Sequence, residues 1–248
     1  MRRLATPALW CALGLALGAS PMPVDPYGPI DDVKIAKPED KVDAPSVSPP
    51  PGATVLFAGK SLDAWQKART KSGTPATWTI NEGRAMQVNG GDIITRDDFA
   101  GHFKLHVEFR CPYMPDKTGQ GRGNSGVYLQ GRYEVQILDS YGLNSKDNDC
   151  GGIYKVATPI VNACKAPTIW QAYDIDFRSP VFRDGKKVEP ARISVVQNGV
   201  TIHKDVAIPL DNTVSGLGGD PACPGPIMLQ DHGNPVQYRN IWLQKLPD

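Results

Sequence analysis

The chain has 248 residues, with 27 Lys and Arg against 26 Asp and Glu, 25 Gly, 23 Pro and 40% hydrophobic residues. That composition suits one medium globular domain with appendages and excludes a collagenous or wholly disordered chain. The formal charge is +1, or −1 without Arg2 and Arg3, so no bulk charge exists to hold phosphate backbones or anionic lipid, and nucleic acid is not an expected partner.

Residues 1–20 read as an export signal. Arg2 and Arg3 form a basic start, Leu9 to Leu17 an apolar run, and Gly18, Ala19 and Ser20 offer small residues for cleavage. The run is too short to span a bilayer, and no second long apolar run follows. Cys11 lies inside it without the small residues that precede a lipidated cysteine, so a secreted or periplasmic protein is expected. Residues 21–51 hold nine prolines and no hydrophobic periodicity, which predicts an extended linker over 21–52 and a folded domain over 53–248.

From Ala53 onward, short runs rich in Val, Ile, Phe and Tyr recur between Gly, Pro, Asn and Asp clusters, and almost no segment has helical apolar spacing. The pattern predicts an all-β two-sheet sandwich or jelly roll. Strands are expected at Thr77–Ile80, Arg84–Val88, Asp92–Thr95, Phe103–Cys111, Ser125–Gln130, Arg132–Leu138, Ala172–Arg178, Arg192–Gln197, Val200–Val206, Ile227–Asp231 and Val236–Leu246. Asn198-Gly199 and Asp184-Gly185 mark tight turns. Gly119 to Gly126 leads into a strand rather than a helix and reads as a mobile connection, not a phosphate loop.

In an oxidising compartment the four cysteines beyond the leader favour disulfides. Cys150 and Cys164 bracket one loop and form the favoured pair, leaving Cys111–Cys223 by elimination. Their spacing is not that of a zinc site. Asp139, Asn144, Asp147, Asn148 and Asp149 read as a polar surface loop rather than an EF-hand calcium loop.

Side chains alternate across a strand. In Phe103–Cys111 this sets Leu105, Val107 and Phe109 against His106, Glu108 and Arg110; in Arg132–Leu138 it sets Tyr133, Val135 and Ile137 against Glu134 and Gln136. Near the C-terminus Ile227 and Leu229 alternate with Met228, Gln230 and His232. A face carrying His, Glu, Arg and Gln in place of the usual Thr, Lys and Ser suits a polar ligand. Tyr128, Tyr154 and Trp170 are the candidate platforms for a sugar ring, while Trp65, Trp78 and Trp242 read as core.

Several stretches resemble one family in order over about residues 54–246. They are Leu56 to Leu62 through Trp65, Glu108-Phe109-Arg110, Asn124 to Leu129, Tyr133 to Ser140, Cys150 to Tyr154, Gly225 to Gly233 and Arg239 to Trp242. The chain is similar to the 3-keto-disaccharide hydrolase family, a jelly roll of the concanavalin A-like lectin and glucanase type. The resemblance implies a carbohydrate-processing protein with an oligosaccharide or glycoside substrate, and its polar motif positions fall on Glu108, Arg110, Glu134, Gln136, Gln230, Asp231 and His232. Lys155 and the long insert Pro115–Gly123 depart from the family pattern.

Related glucanases place carboxylates as Glu-x-Asp-x-x-Glu, where this chain has Glu134-x-Gln136-x-x-Asp139. The middle acid is an amide, and Asp139 reaches the face of Glu134 only through a bulge. Hydrolysis by two carboxylates would therefore have to recruit Glu108. A 3-keto sugar needs less, because the ketone acidifies the C2 hydrogen and the C1 substituent can leave by elimination, after which water adds. His232 is the first expectation for the base and Glu134 the rival. Arg110 or a bound divalent metal would stabilise the enolate, and Gln136 and Gln230 would orient hydroxyls. A non-catalytic sugar-binding module and a conventional endo-glycosidase are the alternatives.

Overall fold

The computed structural model describes residues 25–247; the leader, with Cys11, lies outside the described residues. The strands are β1 (Thr54–Phe57), β2 (Trp65–Lys67), β3 (Thr79–Ile80), β4 (Met86–Gln87), β5 (Ile93–Thr95), β6 (His102–Arg110), β7 (Ser125–Leu129), β8 (Tyr133–Ile137), β9 (Gln171–Arg178), β10 (Val181–Arg183), β11 (Lys186–Glu189), β12 (Ala191–Gln197), β13 (Val200–Ile208), β14 (Met228–Leu229) and β15 (Gln237–Lys245). Every strand expected from alternation is present. The four that were not expected, β1, β2, β10 and β11, have three or four residues each.

Two antiparallel sheets form the sandwich. The larger runs β13-β12-β9-β6-β15-β4-β3, with β1 also paired to β15; the smaller runs β2-β5-β14-β7-β8, and β10-β11 stands apart as a ribbon. The chain is an all-β two-sheet jelly roll. Between the sheets Leu105, Val107 and Phe109 of β6 and Ile175 and Phe177 of β9 meet Val127 and Leu129 of β7 and Val135 and Ile137 of β8, all buried. Tyr133 of the smaller sheet packs on Phe177 of the larger with ring centroids 5.6 Å apart. Left-handed backbone at Asn198 and Gly199 (φ 53° and 81°) and at Asp184 and Gly185 (φ 51° and 71°) makes the β12–β13 and β10–β11 turns.

A bulge in β15 decides what lies on the outer face of the larger sheet. The register with β6 shifts between Arg239 and Ile241, and Asn240 sits there at φ 45°. Tyr238 and Ile241 can then both enter the core, while Gln237, Arg239 and Trp242 turn outward beside His106, Glu108 and Arg110.

The proline-rich segment is docked on this outer face, a difference from the expected linker. Ile30 and Ala44 are buried, and Pro38–Lys41 forms a 3-10 turn. The Ser46 hydroxyl donates to Glu108, Trp242 Nε1 donates to the Val47 carbonyl at 3.1 Å, and Ala44 N–H donates to Trp170 O at 2.9 Å. Polar groups on the sheet, rather than an apolar stripe, hold the segment. Trp65 and Trp78 are core as expected, but Trp242 is buried under this segment, stacked on His106 with centroids 5.0 Å apart.

Candidate functional site

The outer face of the smaller sheet is the candidate site. Because Val127, Val135 and Ile137 point inward, alternation puts Asn124, Gly126 and Tyr128 of the β7 segment and Glu134 and Gln136 of β8 on the opposite side. Tyr128 pairs with Glu134 and Gly126 with Gln136. A Cβ at Gly126 would stand 2.6 Å from Glu134 Oε1 and 2.9 Å from the Tyr128 ring, so the missing side chain is the space in which the carboxyl lies. Gln230, next after β14, donates from Nε2 to the Tyr128 hydroxyl at 3.0 Å.

Glu134 is only 3% exposed, and burial pushes its carboxyl up to about 8, against a partly opposing hydrogen bond from Tyr128. The Tyr128 hydroxyl is itself raised by burial and by the neighbouring Glu134, so it stays a phenol and a donor. A loop that carried no sequence signal accounts for the burial. Thr213 N–H donates to Arg132 O and Glu134 N–H donates to Thr213 Oγ1 at one edge of the sheet, while at the other Arg69 reaches over to the Ser215 carbonyl at 2.5 Å. Between the two edges, Leu217 packs against the cluster of Tyr128, Met228 and Ala68. Residues 212–217 thus cross the Tyr128 end of the face.

The other end is built from amides. Gln120 Nε2 donates to the Asn148 carbonyl, which fixes Gln120 Oε1 as the acceptor for both Asn124 Nδ2 at 3.1 Å and Gln136 Nε2 at 3.2 Å. The connection expected to be mobile is therefore a 3-10 turn, Gly119–Gly121, tied down through Gln120 and through Arg122, whose guanidinium holds Asp139 at 3.2 Å. Gln120 and Asn124 are functional candidates that alternation missed, since one lies in a loop and the other just before its strand. Asp139 is raised by burial and is committed to Arg122, so it does not join Glu134.

Not every expected site residue is here. Glu108 and Arg110 lie on β6 in the opposite sheet, on its outer face, and are corrected out of the site. Arg110 is sandwiched between the rings of Tyr27 and Trp170, at 4.3 and 4.8 Å, with Arg239 on Trp170 at 4.2 Å. Trp170 is therefore a clamp for the docked segment and not a sugar platform. His232 is exposed on the loop after Gln230, and none of the side-chain hydrogen bonds among the described residues involves it. Asp231 spends both oxygens on backbone, accepting Gly91 N–H and Gly233 N–H at 2.7 and 2.8 Å. Tyr154 is half-buried, one residue past Ile153, which bridges to Val135 of β8. Among the described residues no three His, Cys, Asp or Glu side chains are grouped to hold a metal ion.

The chain matches the model of the 3-keto-alpha-glucoside-1,2-lyase-like domain over residues 52–244. It belongs to that family. A crystal structure from Parabacteroides distasonis, provisionally described as a glycosyl hydrolase, is 36% identical with a TM-score of 0.70, covering 80% of this chain and 86% of that one. Two further structures from the same organism with the same provisional description share the fold at 18% and 22% identity, with TM-scores of 0.53 and 0.51; they cover 79% and 78% of this chain and 95% and 99% of theirs. No curated protein matches. Family membership makes this a carbohydrate-active protein, and among the described residues no helix is long and apolar enough to cross a membrane.

Proposed function

We propose that the chain cleaves the glycosidic bond of 3-keto-glycosides by elimination across C1 and C2, followed by hydration, and that Glu134 is the base. The observation that carries this reading is a single buried carboxyl, held at about 8, among a phenol and amides. Two-carboxylate hydrolysis loses its candidates: Glu108 is on the other sheet and Asp139 is paired with Arg122.

In this reading the ionised Glu134 takes the C2 proton and the electron pair moves onto the C3 carbonyl as an enolate. The enolate collapses, the C1–O bond breaks, and the aglycone oxygen leaves with a proton; water then adds across the new C1–C2 double bond. Tyr128, kept as a phenol and aligned by Gln230, is a donor for the enolate oxygen in the role first expected of Arg110. Gln136 orients hydroxyls. His232, exposed two residues beyond Gln230, is the rival base and the candidate for handing a proton to the aglycone. Export through residues 1–20 belongs to the same proposal.

The test is to incubate purified protein with a 3-keto-glucoside and with its unoxidised parent and to follow products by NMR. Turnover confined to the 3-keto compound, reduced roughly 10²–10⁴-fold in Glu134→Gln, supports the reading, that being the usual worth of a general base. Comparable turnover of the parent would instead support a conventional glycosidase, and binding without turnover a lectin-like module.

A further inference from the structure

Three cysteines outside the candidate site are buried: Cys111 after β6, and Cys150 and Cys164 in the connection from β8 to β9. Two of them share their neighbours. Gln197 Nε2 of β12 lies 3.4 Å from Cys150 Sγ and 3.6 Å from Cys164 Sγ, so one amide group touches both sulfurs. Ser140 links the same two residues, its hydroxyl accepting Cys150 N–H at 2.9 Å and lying 3.9 Å from Cys164 Sγ. The expected partnership of Cys111 with Cys223 does not fit. Cys111 is buried against Gly123, none of the side-chain hydrogen bonds among the described residues reaches its sulfur, and Cys223 is exposed beside Asp220.

We propose that Cys150 and Cys164 are joined by a disulfide in the mature protein, with Cys111 left as a buried thiol and Cys223 as an exposed one. The reaction is thiol–disulfide exchange with a small or protein disulfide as oxidant: a Cys150 thiolate attacks one sulfur of the oxidant and releases a thiol. Cys164 then attacks the mixed disulfide, so two protein thiols are oxidised and one disulfide is reduced to two thiols. Since both sulfurs end up buried, exchange takes place while the chain folds, and the finished bridge is shielded from external thiols.

The bridge would hold the strand that carries the site. Gly151, next to Cys150, donates to the Gln136 carbonyl at 2.9 Å, and Gln136 N–H donates to Gly152 O at 2.9 Å, so this loop continues the smaller sheet beyond β8.

The test refolds the chain in a buffer of glutathione and glutathione disulfide, quenches it with N-ethylmaleimide in denaturant without reductant, and maps the peptides by mass spectrometry. The expected result is a Cys150–Cys164 cross-linked peptide with alkylated Cys111 and Cys223, a linkage that persists in Cys111→Ala. Alkylation of both Cys150 and Cys164 in the unreduced wild type, or a linkage that includes Cys111 or Cys223, would overturn the proposal. Reading the wild-type map keeps the question decidable even where Cys150→Ala or Cys164→Ala fails to fold.

Discussion

Gly126 and Glu134 are coupled by the 2.6 Å that separates the carboxyl from where a Cβ would sit. Gly126→Ala should displace Glu134 while leaving the core contacts of Val127 and Val135 in place. The expected outcome is a fall in kcat of at least 10-fold with a stability loss of about 1–3 kcal/mol, the usual cost of overpacking, measured by steady-state kinetics beside urea unfolding. Glu134 also sets a pH dependence. Its carboxyl is raised from the ordinary 4.5 to about 8 in the folded chain, so the folded state holds a proton that the unfolded state has released over that window. Stability therefore falls as pH rises from 4.5 to 8, and Glu134→Gln should flatten this slope. The rate of proton abstraction rises over the same window, as the base form fills. Alternation was enough to single out Glu134 and Gln136 as candidates, and Tyr128 joined them only as an aromatic ring beside the polar strands. It could not find Gln120, which enters through loop hydrogen bonds, and it gave no weight to a glycine whose use lies in what is missing.

At the level of elements, both sheets have an outer polar phase, and a period of two does not say which sheet a strand joins. That is why Glu108 and Arg110 were grouped with Glu134 although β6 and β8 belong to different sheets. The β6 groups bind the segment 25–50 instead. Burial alone would lower the His106 imidazole, but hydrogen bonds to Asp174 and Glu108 outweigh it and raise it from 6.5 to about 9. Burial likewise opposes the Glu108 carboxylate, yet hydrogen bonds from His106, Ser46, Asn240 and Arg239 bring it from 4.5 down to about 2. The His106 contribution is complete below 6.5 and is lost as pH rises through 9; that of Glu108 is complete above 4.5 and is lost as pH falls through 2. Both contributions to folding stability are thus complete between pH 4.5 and 6.5. In Glu134→Gln, which removes the slope of Glu134, urea unfolding should still show stability falling from about pH 6.5 to 9.5, and Ser46→Ala should cost about 1.5–3 kcal/mol, as for a hydrogen bond to a charged group. A flat profile over that range would contradict the ion cluster.

For the whole molecule, fold class was legible because each long strand buries one phase against the other sheet, and the Asn-Gly and Asp-Gly turns punctuate them. What covers the two outer faces was not legible. The docked segment has the composition of a linker, and residues 212–217 have no hydrophobic period; both are held by backbone carbonyls and single side chains that leave no pattern in sequence. The core itself should be cooperative, and Trp65→Ala, which removes a fully buried ring and its 2.8 Å hydrogen bond to Leu56 O, should cost about 3–5 kcal/mol by urea denaturation. The central claim, that the bond is broken by elimination with Glu134 as base, is tested most directly by the fate of a deuteron at C2 of a 3-keto-glucoside. Elimination sends that deuteron to solvent, so the released sugar carries none at C2 and Glu134→Gln releases almost no sugar. A product that retains the C2 deuteron at wild-type rates would contradict the claim.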